Sequence, residues 1–115
     1  GPLVLLINQS SNSDSEIFPN GFRENRLGKL IGVPTSGQVI STMNVTLMDG
    51  KTKFRIPVSG WFTLDGRNME NMGVAPDIRV ENMPADIAAG RDPQMERAVR
   101  ELMQEIRAGK TTRRR

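Results

Sequence analysis

The stretch LVLLI, residues 3–7, is apolar at every position, and no other feature of the chain narrows its fold as far. A strand with one wet face alternates apolar and polar side chains. An unbroken run suits a central strand covered on both faces, as in α/β proteins. The chain then changes to the small polar residues of NQSSNSDSE, 8–16, before apolar residues return at helical spacing as Ile17, Phe18 and Phe22. Strand, polar turn and helix in that order open an α/β unit, with the helix predicted over 13–26. Pro19 suits the first turn of such a helix and kinks it if placed deeper.

Further along, Leu27-Gly28 reads as the helix exit and KLIGV, 29–33, as a second short buried strand. PTSGQ, 34–38, is turn chemistry. Two extended segments, 39–48 and 53–59, flank Asp49-Gly50, a hairpin signal, and Pro57 assigns the second to an edge or a bulge. GWFTLDG, 60–66, reads as another extended piece, with Trp61 packed, and DIRVE, 77–81, as a last short strand. Asp92 is a natural N-cap with Pro93 at the first helical position. From there Met95, Ala98, Val99, Leu102, Met103 and Ile106 recur at spacings of three and four, and Ala108-Gly109 ends the helix. Residues 1–109 are thus one domain and 110–115 a basic, disordered tail.

Composition removes several function classes. The formal charge of +3 falls to zero once Arg113, Arg114 and Arg115 are set aside. The body is neutral, which argues against a nucleic-acid partner. Without cysteine there are no disulfides and no thiolate metal sites, and no cofactor or metal ligand set is expected. No apolar run reaches membrane-spanning length, so no membrane partner is expected. The sequence shows no targeting segment and leaves cytoplasm and periplasm equally open. The seven methionines suit adaptable packing or a partner surface. Asn8-Gln9-Ser10 and Asn44-Val45-Thr46 match a glycosylation pattern short enough to recur by chance. Most telling is the absence of histidine. Histidine is the usual general base at neutral pH, so a hydrolytic serine in this chain needs a base from outside it, or a lysine.

The polar turn admits two readings. Ser13-Asp14-Ser15-Glu16 fits the S-x-x-E capping box, in which Ser13 accepts from the Glu16 N–H and Glu16 reaches back to Ser13. Alternatively, one serine is a nucleophile. A helix N-terminus presents unpaired N–H groups and about half a positive charge, suited to an oxyanion beside the serine. The glycine-flanked elbow of hydrolases is absent, and local sequence leaves both readings open.

Residues 1–37, together with NMENMGVAPDIRVE, 68–81, and RDPQMERAV, 91–99, resemble the C-terminal catalytic subdomain of the tricorn and carboxyl-terminal processing protease family of serine peptidases. The motifs occur in the family's order and cover nearly the whole chain; 38–67 is the weakest stretch. The resemblance implies an α/β, crotonase/Clp-protease-like subdomain: short central strands, a helix after the nucleophile strand, a β-hairpin region and a C-terminal helix. It makes Ser13, in the S-x-S-D segment, the nucleophile, and the backbone N–H of Asp14 an oxyanion donor. Glu70, in ENMGVAPD, becomes the supporting glutamate that orients a histidine through a second serine. Thr35, Ser36 and Gly37 form a turn the family also shows, placed along the cleft.

The departure from the family is as informative. The histidine, its partner serine and the glycine of the second oxyanion N–H belong, in the family, to a segment upstream of the nucleophile strand, and this chain starts at that strand. The expectation is a portion of a longer peptidase, inactive alone. It would act on peptide substrates once joined to the missing N-terminal part, and as an isolated chain it would self-associate through exposed apolar surface. The competing expectation is a non-catalytic peptide-binding or assembly module of the same fold, with Ser13 only a cap.

Overall fold

A computed structural model describes residues 1–109; the basic tail, 110–115, lies outside the described residues. In chain order the elements are β1 (Val4–Ile7), α1 (Asp14–Glu24), β2 (Lys29–Gly32), β3 (Ile40–Thr46), β4 (Lys53–Gly60), β5 (Ile78–Arg79), α2 (Pro84–Ala88) and α3 (Pro93–Arg107). Strands β1, β2 and β5 form a parallel sheet in the order β1-β2-β5, while β3 and β4 form a separate antiparallel pair. The expected α/β layering is therefore present.

The centre of the sheet is β2, not the LVLLI strand. Leu30 and Ile31 are 0% exposed, whereas Val4, Leu5 and Leu6 of β1 are half-buried, and β1 pairs only with β2. An unbroken apolar run reports cover on both faces but says nothing about whether both edges are paired. Alternation along β2 divides the two faces. Leu30 joins Ile7, Phe22, Val39, Met69 and Val74 in the core cluster, with Leu5 and Ile17 packed against it. Lys29, one position away, points to the other face and pairs with Glu101 and Glu105 of α3. Complete burial of a side chain such as Leu30 contributes about 2 kcal/mol.

Helix α1 runs through Pro19, whose ring is buried with Glu16 and Phe22 on one face. Its exit differs in detail from the Leu27-Gly28 expectation. Arg26 takes the left-handed conformation (φ 52°), the Leu27 N–H donates to the Phe22 carbonyl, and the Arg26 N–H donates to the Arg23 carbonyl. That pair of bonds is a Schellman stop. Gly28 serves a different need, because a Cβ there would lie 1.9 Å from the Leu3 carbonyl oxygen.

Downstream, the Asp92 side chain accepts from the Met95 N–H as expected of an N-cap. Of the apolar stripe of α3 only Ala98 is fully buried and Leu102 half-buried. Gln94, Ala98 and Glu101 are buried, while Met95, Val99, Met103 and Ile106 are exposed. Lys29 and Arg97 hold Glu101, and a helix turns toward the face where a buried charge finds its partners. Gly60 ends β4 opposite Ile40, and 61–66 forms no strand of its own. Its one ladder contact is an isolated bridge, Phe62 to Asn68. Trp61 is exposed, its indole N–H donating to the Ser41 hydroxyl at 3.0 Å. The short helix α2 was not expected.

Candidate active site

Beyond Ile7 the chain enters a turn held by its own polar atoms. Asn8 Oδ1 accepts from the Ser10 N–H at 2.9 Å, the Ser11 N–H donates to the Asn8 carbonyl at 2.9 Å, and the Ser11 hydroxyl accepts from the Asn8 N–H at 3.2 Å. Short amide and hydroxyl side chains make such turns readily. The turn delivers Ser13 to the N-cap of α1 with φ 52° and ψ −119°. L residues rarely adopt that backbone, which costs on the order of 1–3 kcal/mol. Bonds on both sides hold it: the Ser13 N–H donates to the Gln38 carbonyl at 2.9 Å, and the Ser13 carbonyl accepts from Glu16 and Ile17 at 2.8 and 3.1 Å.

The capping box is not formed. The Ser13 side chain makes no cap hydrogen bond and is exposed. Glu16 is 0% exposed and turns instead into the 35–38 loop. Its Oε2 accepts from Thr35 Oγ1 at 2.5 Å and the Gly37 N–H at 2.8 Å; its Oε1 accepts from the Gln38 N–H at 2.8 Å and Ser36 Oγ at 3.3 Å. The reason is the obligation to pair buried donors. A box would give Glu16 a single N–H, whereas the loop presents several that need one acceptor.

The network extends to a third segment. Thr35 Oγ1 accepts from the Val74 N–H at 2.7 Å, and the Asn71 N–H donates to the Gly37 carbonyl at 2.7 Å. Glu70 Oε2 accepts from the Val39 N–H at 2.6 Å. Gly73, at φ 68°, leaves room for this clamp, since a Cβ there would meet the Thr35 carbonyl oxygen at 2.9 Å. Segments 8–13, 35–39 and 69–74 are thus fastened together beside the carboxyl ends of β1 and β2, where open parallel sheets place their ligand sites.

Ser13 opens onto a cleft of about 260 Å³ shared with Asn12, Gln38, Ile40, Thr42 and Arg55. The Asp14 N–H, at the first helical position, has no hydrogen-bond partner among the described residues. Asp14 lines a neighbouring, mainly apolar cavity with Leu5, Leu6, Phe18 and Pro19. Ser13 and Glu70 share no hydrogen bond, but each is tied to the same loop, at Gln38 and at Val39. Thr35, Ser36 and Gly37, expected along the cleft, instead serve Glu16. Sequence reading missed Glu16 as a hub, and also Gln38, Thr42 and Arg55 as cleft residues. The donor-rich loop TSGQ was the available signal that a buried acceptor was needed.

A larger cavity, about 460 Å³, lies between Asn8, Gln9, Arg79, Glu81 and Gln94. It contains neither Ser13 nor Glu70, and its charged pair, Arg79 with Glu81, is already satisfied. Among the described residues no cluster of carboxylates is placed to hold a metal ion, and no helix is long and apolar enough to cross a membrane.

The site therefore combines an uncapped hydroxyl, the positive end of a helix and an unpartnered N–H beside it, which together suit stabilisation of negative charge next to Ser13 Oγ. No basic side chain hydrogen-bonds that hydroxyl among the described residues, and the sequence contains no histidine.

The fold is that of the tricorn and C-terminal processing peptidases. The crystal structure of the tricorn protease matches 93% of this chain, and 11% of that one, at 34% identity with a TM-score of 0.86. The photosystem II D1 C-terminal processing protease matches 70% of this chain and 20% of that one at 29% identity with a TM-score of 0.60. The family model for peptidase family S41 matches residues 1–80. The tricorn protease of Thermoplasma acidophilum is 37% identical over 108 residues, 93% of this chain and 10% of that protein. Tricorn protease homolog 1 of Streptomyces coelicolor is 37% identical over 100 residues, 86% of this chain and 9% of that protein. The chain belongs to peptidase family S41, and it spans about a tenth of the length of these curated relatives.

Proposed function

We propose that this chain is the nucleophile-bearing portion of a tricorn-like serine peptidase, cleaving peptide bonds through an acyl-enzyme on Ser13. The observation that carries this reading is the conformation of Ser13: φ 52°, ψ −119°, with its hydroxyl withheld from capping and open to a cleft. A serine serving only as a cap would accept from α1 and take an ordinary extended backbone.

In this reading Ser13 Oγ attacks the peptide carbonyl carbon as its proton passes to an imidazole. The oxyanion that forms faces the Asp14 N–H. The imidazolium then protonates the departing amine, and water releases the acyl group in the reverse sense. The imidazole comes from a histidine in a part of the protein outside these 115 residues. Glu70 acts at one remove, through a second serine that orients the histidine. Its Oε2 is occupied by the Val39 N–H, which leaves Oε1 to accept from that hydroxyl. Loss of the base in serine peptidases costs on the order of a millionfold in turnover, so the chain alone is inactive. The unpaired edge of β1 and the apolar cavity beside it support cover by the rest of the peptidase, and self-association where that part is missing.

A fluorophosphonate probe tests the assignment. It should label Ser13 rapidly in a protein that supplies the histidine-bearing part, label the 115-residue chain barely, and fail on Ser13→Ala in both settings. Rapid labelling of the isolated chain would remove the dependence on an external base. Labelling of a serine other than Ser13 would remove the nucleophile assignment.

A further inference from the structure

The register of the hairpin separates its two faces. Met43 opposes Ile56 and Val45 opposes Phe54, while Asn44 opposes Arg55 and Thr46 opposes Lys53. Directly opposed residues share a face and neighbours along a strand do not. One face is therefore apolar, and the other carries Thr42, Asn44, Thr46, Lys53 and Arg55. The polar face is the one turned to Ser13, since Thr42 and Arg55 line its cleft.

Arg55 is the only charged residue among those lining the cleft, the others being Asn12, Ser13, Gln38, Ile40 and Thr42. It forms no ion pair among the described residues. Arg23, Arg67, Arg79, Arg91 and Arg97 each hold a carboxylate (Asp77, Asp65, Glu81, Asp86 and Glu101). Of the arginines that hold none among the described residues, Arg26, Arg55, Arg100 and Arg107, Arg55 is the one that lines the cleft. No acidic residue is among those lining the cleft. Asp14 lines the separate apolar cavity and Glu70 is engaged with the Val39 N–H. The N-terminus of α1 adds positive potential on the same side. A planar guanidinium whose donors are unspent among the described residues, in a concave site with amide and hydroxyl neighbours, is built to hold a carboxylate by paired hydrogen bonds.

We propose that Arg55 is a specificity-determining residue that binds a carboxylate of the peptide lying across Ser13. That carboxylate is either an acidic side chain near the cleaved bond or the free C-terminus of a short peptide. The inference rests on the reading of Ser13 as the site of peptide cleavage, but it concerns binding, and it survives loss of the chemical step.

The test is binding of N-acetylated alanine hexapeptides to the 115-residue chain, by NMR titration or calorimetry. One peptide is amide-terminated and neutral, one is amide-terminated with a single internal glutamate, and one has a free C-terminal carboxylate. At least one acidic peptide should bind about tenfold tighter than the neutral one, with the preference shrinking as salt is raised. The peptide that gains tells the side-chain source from the C-terminal one. Arg55→Met should erase the preference, Arg55→Lys should keep part of it, and Ser13→Ala should keep all of it. Arg55 is exposed, so an unchanged circular dichroism spectrum is expected for Arg55→Met and serves as the folding control. Equal binding of all three peptides, no binding at millimolar peptide, or a preference untouched in Arg55→Met would each overturn the proposal. Failure of Ser13 to take the fluorophosphonate, with the Arg55-dependent preference intact, would instead sink only the catalytic reading.

Discussion

Glu16 and Phe54 stand for two ways of building this domain. Glu16 is 0% exposed, and its carboxylate gathers Thr35, Ser36, Gly37 and Gln38 around it. Phe54 is 57% exposed on a hairpin whose strands pair only with each other. The first region is fixed by polar bonds between segments far apart in sequence, with every buried side-chain polar atom among the described residues satisfied. The second is fixed by local pairing around the Asp49-Gly50 turn, and a two-stranded hairpin on its own is marginal in water. The rigid part holds the backbone of the candidate nucleophile. The loosely supported part carries Arg55 and the wall of the cleft. Chemistry demands fixed geometry, whereas recognition tolerates a wall that adjusts.

The contrast is broken most severely by Glu16→Ala, which strands the Gly37 and Gln38 N–H groups and the Thr35 hydroxyl. We expect a loss of about 4 kcal/mol in urea unfolding, or no cooperative transition at all. A change under about 1 kcal/mol would mean that the loop does not depend on this carboxylate. Gly73→Ala strikes the same region through the backbone, forcing a Cβ to 2.9 Å from the Thr35 carbonyl oxygen at φ 68°. About 2 kcal/mol should be lost. Ser13→Gly has the opposite sign. It relieves the strained backbone and gives up no cap bond, so thermal unfolding should show a gain of about 1 kcal/mol. Ser13→Ala should stay within about 0.5 kcal/mol, where an ordinary N-cap serine would lose about 1.

On the hairpin the effects are small. Phe54→Ser removes an exposed side chain and should change stability by less than about 0.5 kcal/mol. The amides of β3 and β4 should exchange far faster than those of β2, and equal protection in the two regions would erase the distinction. Acid offers the finest probe. The Thr52 hydroxyl, followed by the Lys51 and Thr52 N–H groups, holds the Asp49 carboxyl below its ordinary range. A carboxylate depressed in the folded state contributes above its unfolded pKa and loses that contribution as pH falls through the folded value. The hairpin tip should therefore loosen only below the usual carboxylate range, seen as shifts of the Lys51 and Thr52 amide resonances. Asp49→Asn should flatten that response.

Much of the chain was legible because its signals are short-ranged. Asp49-Gly50 marks the hairpin, Asp92-Pro93 starts α3, and the change from LVLLI to a polar cluster marks the strand, turn and helix around Ser13. The same locality explains the errors. S-x-x-E is a sound capping box to any reader of residues 13–16, yet Glu16 is claimed by Thr35, 19 positions away. The apolar spacing on α3 is real, yet Lys29 draws Glu101 inward across 72 positions.

By itself the sequence determined most of the elements, α2 excepted, their order, and the absence of any histidine to serve as a base. It did so because periodicity, turn chemistry and composition need no knowledge of distant contacts. Only the tertiary structure decided that β2 and not β1 is central, that the Ser13 hydroxyl is left uncapped, and that Arg55 faces it. Those outcomes depend on which loops meet at the end of the sheet, where a buried donor takes whichever acceptor the fold brings within reach.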